Sequence, residues 1–154
     1  MNTLQREQKV ALLGDGGVGK TSFIKKILIG GQISKKYLAT LGVDVHPFDA
    51  YENNVKFKYN IWDLAGQEKF SGMREKYLNN VDQVIIFYSD NLSKKNAMNY
   101  WTDIVPTGVK INYIRLKSDL NSMEDGIGAI VSAKEDSQEH LKNVLKYILK
   151  YSNI

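Results

Sequence analysis

Apolar and polar positions divide the chain into short alternating segments. Lys9-Val-Ala-Leu-Leu-Gly14 is an apolar run that ends in glycine, which predicts a buried strand feeding a loop. A helical stretch, Lys20 to Ile29, follows. Val43 to Tyr51 and Val55 to Trp62 flank the polar Glu52-Asn53-Asn54, a turn of hairpin length, so these two segments are predicted to pair antiparallel. Val84-Ile-Ile-Phe-Tyr88 is the most apolar segment and suits a central strand covered on both faces. Ile111 to Leu116 and Ala129 to Val131 are further strand candidates, and Ser93 to Ile104 and Glu135 to Tyr151 read as helices. In the last of these, Leu141, Val144, Leu145 and Ile148 share one face at 3.6 periodicity. Strands alternating with helices predict an α/β fold in three layers: a mostly parallel six-stranded sheet, helices on both sides, and one antiparallel strand at its edge. No internal repeat, low-complexity block or Pro/Ser linker divides the chain, so residues 1–154 are expected to form a single domain.

Composition narrows the class. With 154 residues, 43% hydrophobic and 25% charged, the chain suits a domain with a sizeable core rather than a disordered or collagen-like one. No apolar run reaches the roughly 18 residues of a membrane span. The opening MNTLQREQKV is polar, so no secretory leader is expected and the nucleus and cytoplasm are the expected compartments. Zero cysteines exclude a disulfide framework, a thiolate zinc site, a cysteine nucleophile and prenyl or palmitoyl anchoring, and position 2 is not the glycine that myristoylation needs. No membrane anchor is expected. The net charge of +4 suggests nucleic acid at first sight, but the lysines are scattered in pairs (Lys25-Lys26, Lys35-Lys36, Lys94-Lys95). Only Arg6, Arg74 and Arg115 could make bidentate contacts. Direct nucleic-acid binding is not expected.

Between the first strand and the first helix stands Gly14-Asp15-Gly16-Gly17-Val18-Gly19-Lys20-Thr21, which fits the phosphate-loop pattern G-x-x-x-x-G-K-[ST]. Glycines let the backbone N–H groups of Asp15 to Gly19 turn around phosphate oxygens, and the helix N-terminus adds its dipole. Lys20 reaches the β- and γ-phosphates, and the Thr21 hydroxyl ligates Mg²⁺. Gly14, Gly16 and Gly19 also satisfy G-x-G-x-x-G, the shape of a dinucleotide fingerprint or a kinase glycine loop. A dinucleotide fold wants an acid about 20 residues on; position 39 is Ala, and the nearest acid, Asp44, opens a strand. The kinase catalytic-loop sequence is missing. Lys20-Thr21 therefore decides for a nucleoside triphosphate.

Two further segments converge on the same γ-phosphate. Asp63-Leu64-Ala65-Gly66-Gln67 closes the third strand, where an acid can hold Mg²⁺ from the far side, Gly66 can offer an N–H and Gln67 can orient a water. Tyr37-Leu38-Ala39-Thr40-Leu41-Gly42 forms a loop before the second strand, where Thr40 could complete the Mg²⁺ shell. With these motifs the chain resembles the small Ras-like GTPases, and within them the Ran branch. Lys35-Lys36-Tyr37-Leu38-Ala39-Thr40-Leu41-Gly42-Val43-Asp44-Val45-His46-Pro47 and Asp63-Leu64-Ala65-Gly66-Gln67-Glu68-Lys69-Phe70 are similar to that branch's two switch sequences. The resemblance runs roughly from Lys9 to Ile104. It implies Lys20 and Thr21 as phosphate and Mg²⁺ contacts, Thr40 as the switch-one Mg²⁺ ligand, and Asp63 as a Mg²⁺ contact through water. It further implies Gly66 as γ-phosphate sensor, Gln67 as the water-positioning catalytic residue, and Tyr37 beside the γ-phosphate. Trp62, Phe70 and Arg74 would belong to the partner-reading surface. Taken singly, Thr40 reads as a turn hydroxyl, Gln67 as a solvated loop residue and Phe70 as a core aromatic; only their joint spacing raises them. Trp62 and Trp101 read equally as packing residues, His46 as structural and His140 as solvated.

The chain departs from the family in its base-binding half. Where the family reads guanine with Asn-Lys-x-Asp, this chain has Leu116-Lys117-Ser118-Asp119. Lys117 can still lie over the base, and Asp119 can accept from guanine's two Watson–Crick-edge N–H groups. Leu116 cannot make the amide contacts, and each such hydrogen bond is worth roughly 0.5–1.5 kcal/mol net. Guanine preference is therefore expected with reduced affinity. Ser132-Ala133-Lys134 matches the family's Ser-Ala-Lys loop, with the Ala133 N–H placed for guanine O6. The stretch from Leu120 to Val131 is too short for a normal helix and a strand together, so the family's fourth helix is expected to be reduced or missing. Read to Ile154, the sequence carries no acidic tail of the Ran kind, so partners that use the tail are not expected while those reading the switches are. The resemblance thus implies a monomeric GTPase that binds GTP/GDP with Mg²⁺, is slow without an activating protein, and engages transport receptors, an exchange factor and a GTPase-activating protein. Two alternatives stand beside it: a non-catalytic Ran mimic that binds receptors with weakened nucleotide dependence, and a generic ATP-using phosphate-loop enzyme.

Overall fold

The computed structural model describes residues 4–28, 36–38, 42–64, 70–116, 129–132 and 136–150. The elements run β1 (Leu4–Gly14), α1 (Lys20–Leu28), β2 (Lys36–Leu38), β3 (Val43–Glu52), β4 (Val55–Leu64), α2 (Phe70–Leu78), β5 (Gln83–Tyr88), α3 (Asn91–Asn96, continued by a π-helical turn over Ala97–Trp101), β6 (Lys110–Arg115), β7 (Ala129–Ile130) and α4 (Gln138–Lys150). All strands join one sheet in the order β2-β3-β4-β1-β5-β6-β7. β1, β4, β5, β6 and β7 pair in parallel, and β3 runs antiparallel to β4. The α/β class and the mostly parallel sheet are those expected from the alternation of segments.

The sheet differs from expectation at its edge. The antiparallel β3 is not the last strand, because Lys36–Leu38 adds β2 beside it, with Tyr37 opposite Asp44. The reversal is tight: the Gly42 N–H donates to the Leu38 carbonyl at 2.8 Å with Gly42 at φ +67, a left-handed conformation that glycine adopts without a Cβ penalty. Tyr37, expected in a loop, is therefore a strand residue. The β3–β4 hairpin turns through Asn53 and Asn54 at φ +49 and +66, the paired left-handed residues of a type I′ turn that matches strand twist. The expected reduction of the family's fourth helix falls on residues 117–128, outside the described residues.

Two apolar layers flank the sheet. On one face Val10, Leu12, Tyr59, Ile85 and Phe87 meet Phe23 and Ile27 of α1 and Leu141, Leu145 and Leu149 of α4. The i, i+4, i+8 spacing of the three leucines lays one stripe along α4, and each buried leucine contributes about 1.5–3 kcal/mol. On the other face Ala11, Leu13, Val84 and Ile86 meet Phe70, Tyr77 and Leu78 of α2 and Ala97 and Trp101 of the α3 turn. β5 is buried along its whole length because both layers cover it. Its one polar residue, Gln83, is matched: its amide donates to Gln8 Oε1 at 2.8 Å and its Oε1 accepts from Asn112 at 2.9 Å. Among the described residues no buried side-chain nitrogen or oxygen lacks a hydrogen bond, and no helix is long and apolar enough to cross a membrane.

Candidate nucleotide site

The phosphate loop is the turn that leaves the C-terminal end of β1 and enters α1. Gly14 lies at φ +136, and a Cβ there would stand 2.5 Å from the Phe87 carbonyl oxygen on β5, so no other residue fits where the loop departs. Gly17 and Gly19 lie at φ +80 and +105, the left-handed conformations that bring successive N–H groups round to one side. Val18 points back into the core and is 2% exposed, pinning the loop from below, while Gly16 and Gly17 are exposed. The Phe23 N–H closes the first helical bond on the Gly19 carbonyl at 3.0 Å. Thr21 is exposed in that first turn.

Lys20 is where sequence and electrostatics meet most directly. Its Nζ donates to the Gly14 carbonyl at 2.9 Å, so the ammonium is held across the mouth of its own loop. Burial lowers its pKa to about 8, against the opposing pull of Asp63 and Asp15. Asp63, on β4, is buried at 9% exposure. Beneath it the Tyr77 hydroxyl, fully buried, donates to the carbonyls of Leu12 (2.9 Å) and Trp62 and accepts from the Leu12 N–H. Burial, then the nearby Asp63 charge, raises its pKa, so this phenol is a neutral brace between β1 and β4.

The Asp15 side chain faces away from the loop's interior. Its two oxygens accept from Asn96 Nδ2 at 2.6 Å and Trp101 Nε1 at 2.8 Å. Trp101 is buried and packs edge-on against Phe70, ring centroids 5.3 Å apart, and Phe70 in turn meets Tyr77 at 5.9 Å. Phe70 is thus a core aromatic at the first residue of α2. Lys9 fixes the other end of that helix: its Nζ donates to the carbonyls of Asn79 (2.8 Å) and Lys76 (3.4 Å) and lies 3.8 Å above the Trp62 ring. Lys9 loses basicity chiefly to burial, opposed by Asp82. Trp62 is half-buried under this lysine and Arg74 is exposed.

On the base-binding side, Leu116 is 1% exposed and packs in the core with Ile114 and Val131; its N–H donates to the Tyr88 carbonyl at 2.8 Å. At the position of the family's asparagine the side chain is a core residue and cannot reach a ligand. Ser132 is buried, and its N–H donates to the Asp136 carboxylate at 2.8 Å, while the Asp136 N–H returns to the Ser132 carbonyl at 2.9 Å. His140, exposed on α4, lies 3.9 Å from the same carboxylate, and His46 is buried within β3. Thr40, Gly66, Gln67, Lys117, Asp119, Ala133 and Lys134 lie outside the described residues. Sequence reading missed the side-chain tether of Asp15, the bracing Tyr77 and the Asp136 closure. An acid inside a phosphate-binding loop is the one signal that pointed to the first of these, since an untethered carboxylate there would repel the ligand.

The described residues fit a triphosphate and its metal. The loop offers backbone N–H groups beside an ammonium with the N-terminus of α1 behind them. Thr21 and Asp63 supply one hydroxyl and one carboxylate, which suits Mg²⁺, an ion that keeps several waters and takes its remaining ligands from substrate phosphates. Among the described residues no group of three or more acidic, histidine or cysteine side chains forms an all-protein metal cage. The family model described as Roc, Ras of Complex, Roc, domain of DAPkinase, matches residues 9–114, from the start of the buried part of β1 through the phosphate loop to β6. With more than half of its length inside that match, the chain belongs to the Roc family of Ras-like GTPases, and is a GTP-binding domain of the Ras superfamily.

Proposed function

We propose that residues 1–154 act as one Ran-like switch domain: the chain binds GTP and GDP with Mg²⁺, hydrolyses GTP, and changes its partner binding between the two states in nucleocytoplasmic transport. The observation that carries the nucleotide reading is the part-buried Lys20 ammonium, held on the Gly14 carbonyl at 2.9 Å, at the mouth of a loop whose glycines turn their N–H groups together. A charge held in that setting gains most from an anion. In this reading the N–H groups of Asp15, Gly16, Gly17, Val18 and Gly19 and the Lys20 ammonium bind the phosphates, with Tyr37 beside them. Mg²⁺ would be held by Thr21 and Thr40 and, through water, by Asp63, and it would supply charge to the phosphate oxygens. Gly66 senses the γ-phosphate, and Gln67 orients the attacking water. Lys117, Asp119, Ser132, Ala133 and Lys134 take the base.

The transport role rests on the two switch sequences and is tested by pull-down of transport receptors with the GTP- and GDP-loaded protein. Capture only in the GTP state supports it; capture in neither state refutes it. Calorimetric titration with GTP, GDP and ATP tests the nucleotide reading. Micromolar or tighter guanine-nucleotide binding with ATP at least about tenfold weaker is expected, a difference of 1.4 kcal/mol, and equal or no binding refutes it. Gln67→Leu should suppress hydrolysis and leave GTP affinity within about twofold. A second reading is favoured by Leu116, whose burial takes the family's base-fastening contact away: a mimic of the Ran switches that holds receptors whatever its nucleotide state. Receptor capture that ignores GTP would decide for it.

A further inference from the structure

The Asp15 carboxylate sits in the phosphate loop yet spends both oxygens on α3. Its donors, Asn96 and Trp101, stand just before the π-helical turn Ala97–Trp101 and at its last residue. That turn has an extra residue: the Thr102 N–H reaches back five residues to the Ala97 carbonyl, which also accepts from Thr102 Oγ1 at 2.6 Å. A π turn shifts the angular position of the residues that follow it and is common where a helix serves a site. Here Trp101 lies where its indole N–H meets Asp15 at 2.8 Å while its ring remains against Phe70. A small cleft is lined by Lys20, Leu64, Phe70, Tyr77 and Trp101.

We infer that Asn96 and Trp101 are positioning residues for the triphosphate: by holding Asp15 they fix the phosphate loop, and through the Trp101 ring on Phe70 they tie that loop to the first turn of α2. The inference rests on the GTP reading above. Physically, the two donors do two things. They neutralise by hydrogen bonding a carboxylate that would otherwise turn toward incoming phosphates, and they make the position of the loop depend on the position of α2. Since α2 begins a few residues beyond Asp63, in the stretch that the GTP reading assigns to the γ-phosphate, the clamp favours the nucleotide that carries a γ-phosphate. It therefore contributes to preference for GTP over GDP, beyond simple loop stability.

Trp101→Phe tests this, because the phenyl ring retains an aromatic contact with Phe70 while the N–H donor is lost along with part of the buried indole. Asn96→Ala removes the second donor and stands in if the first variant does not fold, with thermal unfolding as the check of folding. GTP and GDP affinities are measured for each variant and for the double variant. Each single change is expected to lower the GTP:GDP affinity ratio about fivefold or more, within the usual range of coupling between sites. The double change should cost less than the product of the two, because both donors act on one carboxylate. An unchanged ratio in folded variants, with GTP and GDP weakened equally or not at all, overturns the clamp while leaving the GTP site standing. Failure of the unsubstituted protein to bind GTP overturns the functional reading itself, and the clamp with it.

Discussion

Replacing Lys20 by methionine should make the nucleotide-free protein more stable at neutral pH while abolishing phosphate binding. The side chain stays unbranched, one atom shorter, and loses its charge. Burial carries the Lys20 pKa from 10.5 to about 8, and at 1.36 kcal/mol per unit the charged form costs the folded state about 3 kcal/mol. The substitution also gives up the charged hydrogen bond to the Gly14 carbonyl, worth about 1.5–3 kcal/mol, so the net gain at pH 7 is about 1 kcal/mol. That is a rise of about 2–4 °C in Tm for a domain of this size. The pH dependence identifies the cause. Between about pH 8 and 10.5 the unfolded chain holds a proton on Lys20 that the folded one has released, so native stability rises with pH through this window. By pH 9.5 the unsubstituted protein recovers about 2 kcal/mol of the penalty, and the variant becomes the less stable of the two. Thermal or urea unfolding of both proteins at pH 7 and 9.5, without nucleotide, reads the difference. An advantage that is equal at both pH values, or grows with pH, would refute the assignment of the cost to a buried charge. Saturating GTP should invert the order at pH 7, since ligand at a hundred times Kd stabilises only the protein that binds it, by about 2.7 kcal/mol.

Other substitutions probe separate parts of the site. Gly14→Ala places a methyl 2.5 Å from the Phe87 carbonyl at φ +136; a loss of about 3 kcal/mol or more is expected, measured as a fall in the urea midpoint, with nucleotide binding lost as well. Leu116→Asn restores the family's residue but buries an amide where the side chain is 1% exposed, so stability should fall by about 1–3 kcal/mol in chemical denaturation even if GTP binds more tightly; an unchanged midpoint would show that the side chain can leave the core. Asp136→Ala frees the Ser132 N–H and should cost about 1–3 kcal/mol of stability. It should also weaken GTP and GDP to a similar extent, read by fluorescent-nucleotide titration, because the proposed function assigns Ser132 to the base, which the two nucleotides share.

Much of this molecule is legible in its residues, and the illegible parts have physical reasons. Val84 to Tyr88 announces a central strand because both faces are buried, and Asn53-Asn54 announces the hairpin because two left-handed residues are needed there. The phosphate loop is equally explicit: its glycines answer backbone demands that no tertiary context is needed to infer. By contrast, the first half of β1, Leu4 to Gln8, is polar and exposed and owes its conformation to pairing with Val55 to Tyr59 on β4, so periodicity gave no sign of it. α2 was also silent, since a single turn pattern of Phe70, Tyr77 and Leu78 buries its face against aromatic partners from distant segments. The partners of Asp15 lie 81 and 86 residues away. No local spacing encodes such a contact, and a π turn, which sets its geometry, has no sequence signature of its own.

The fastening of α2 at one end governs how it can move. Lys9 grips the carbonyls of Lys76 and Asn79, and Tyr77 is bolted to β1 and β4, so the C-terminal end of the helix acts as a fixed hinge. Its other end, at Phe70, lies about 12 Å away at 1.5 Å per residue. A swing of about 10° about that hinge carries Phe70 through about 2 Å on this lever arm, and leaves the hinge end almost still. A displacement of that size is enough to lift the Phe70 ring off Trp101. In the proposed switch, movement of α2 would thus be a matter of leverage: a small rotation about the anchored end would be delivered, amplified, at Phe70.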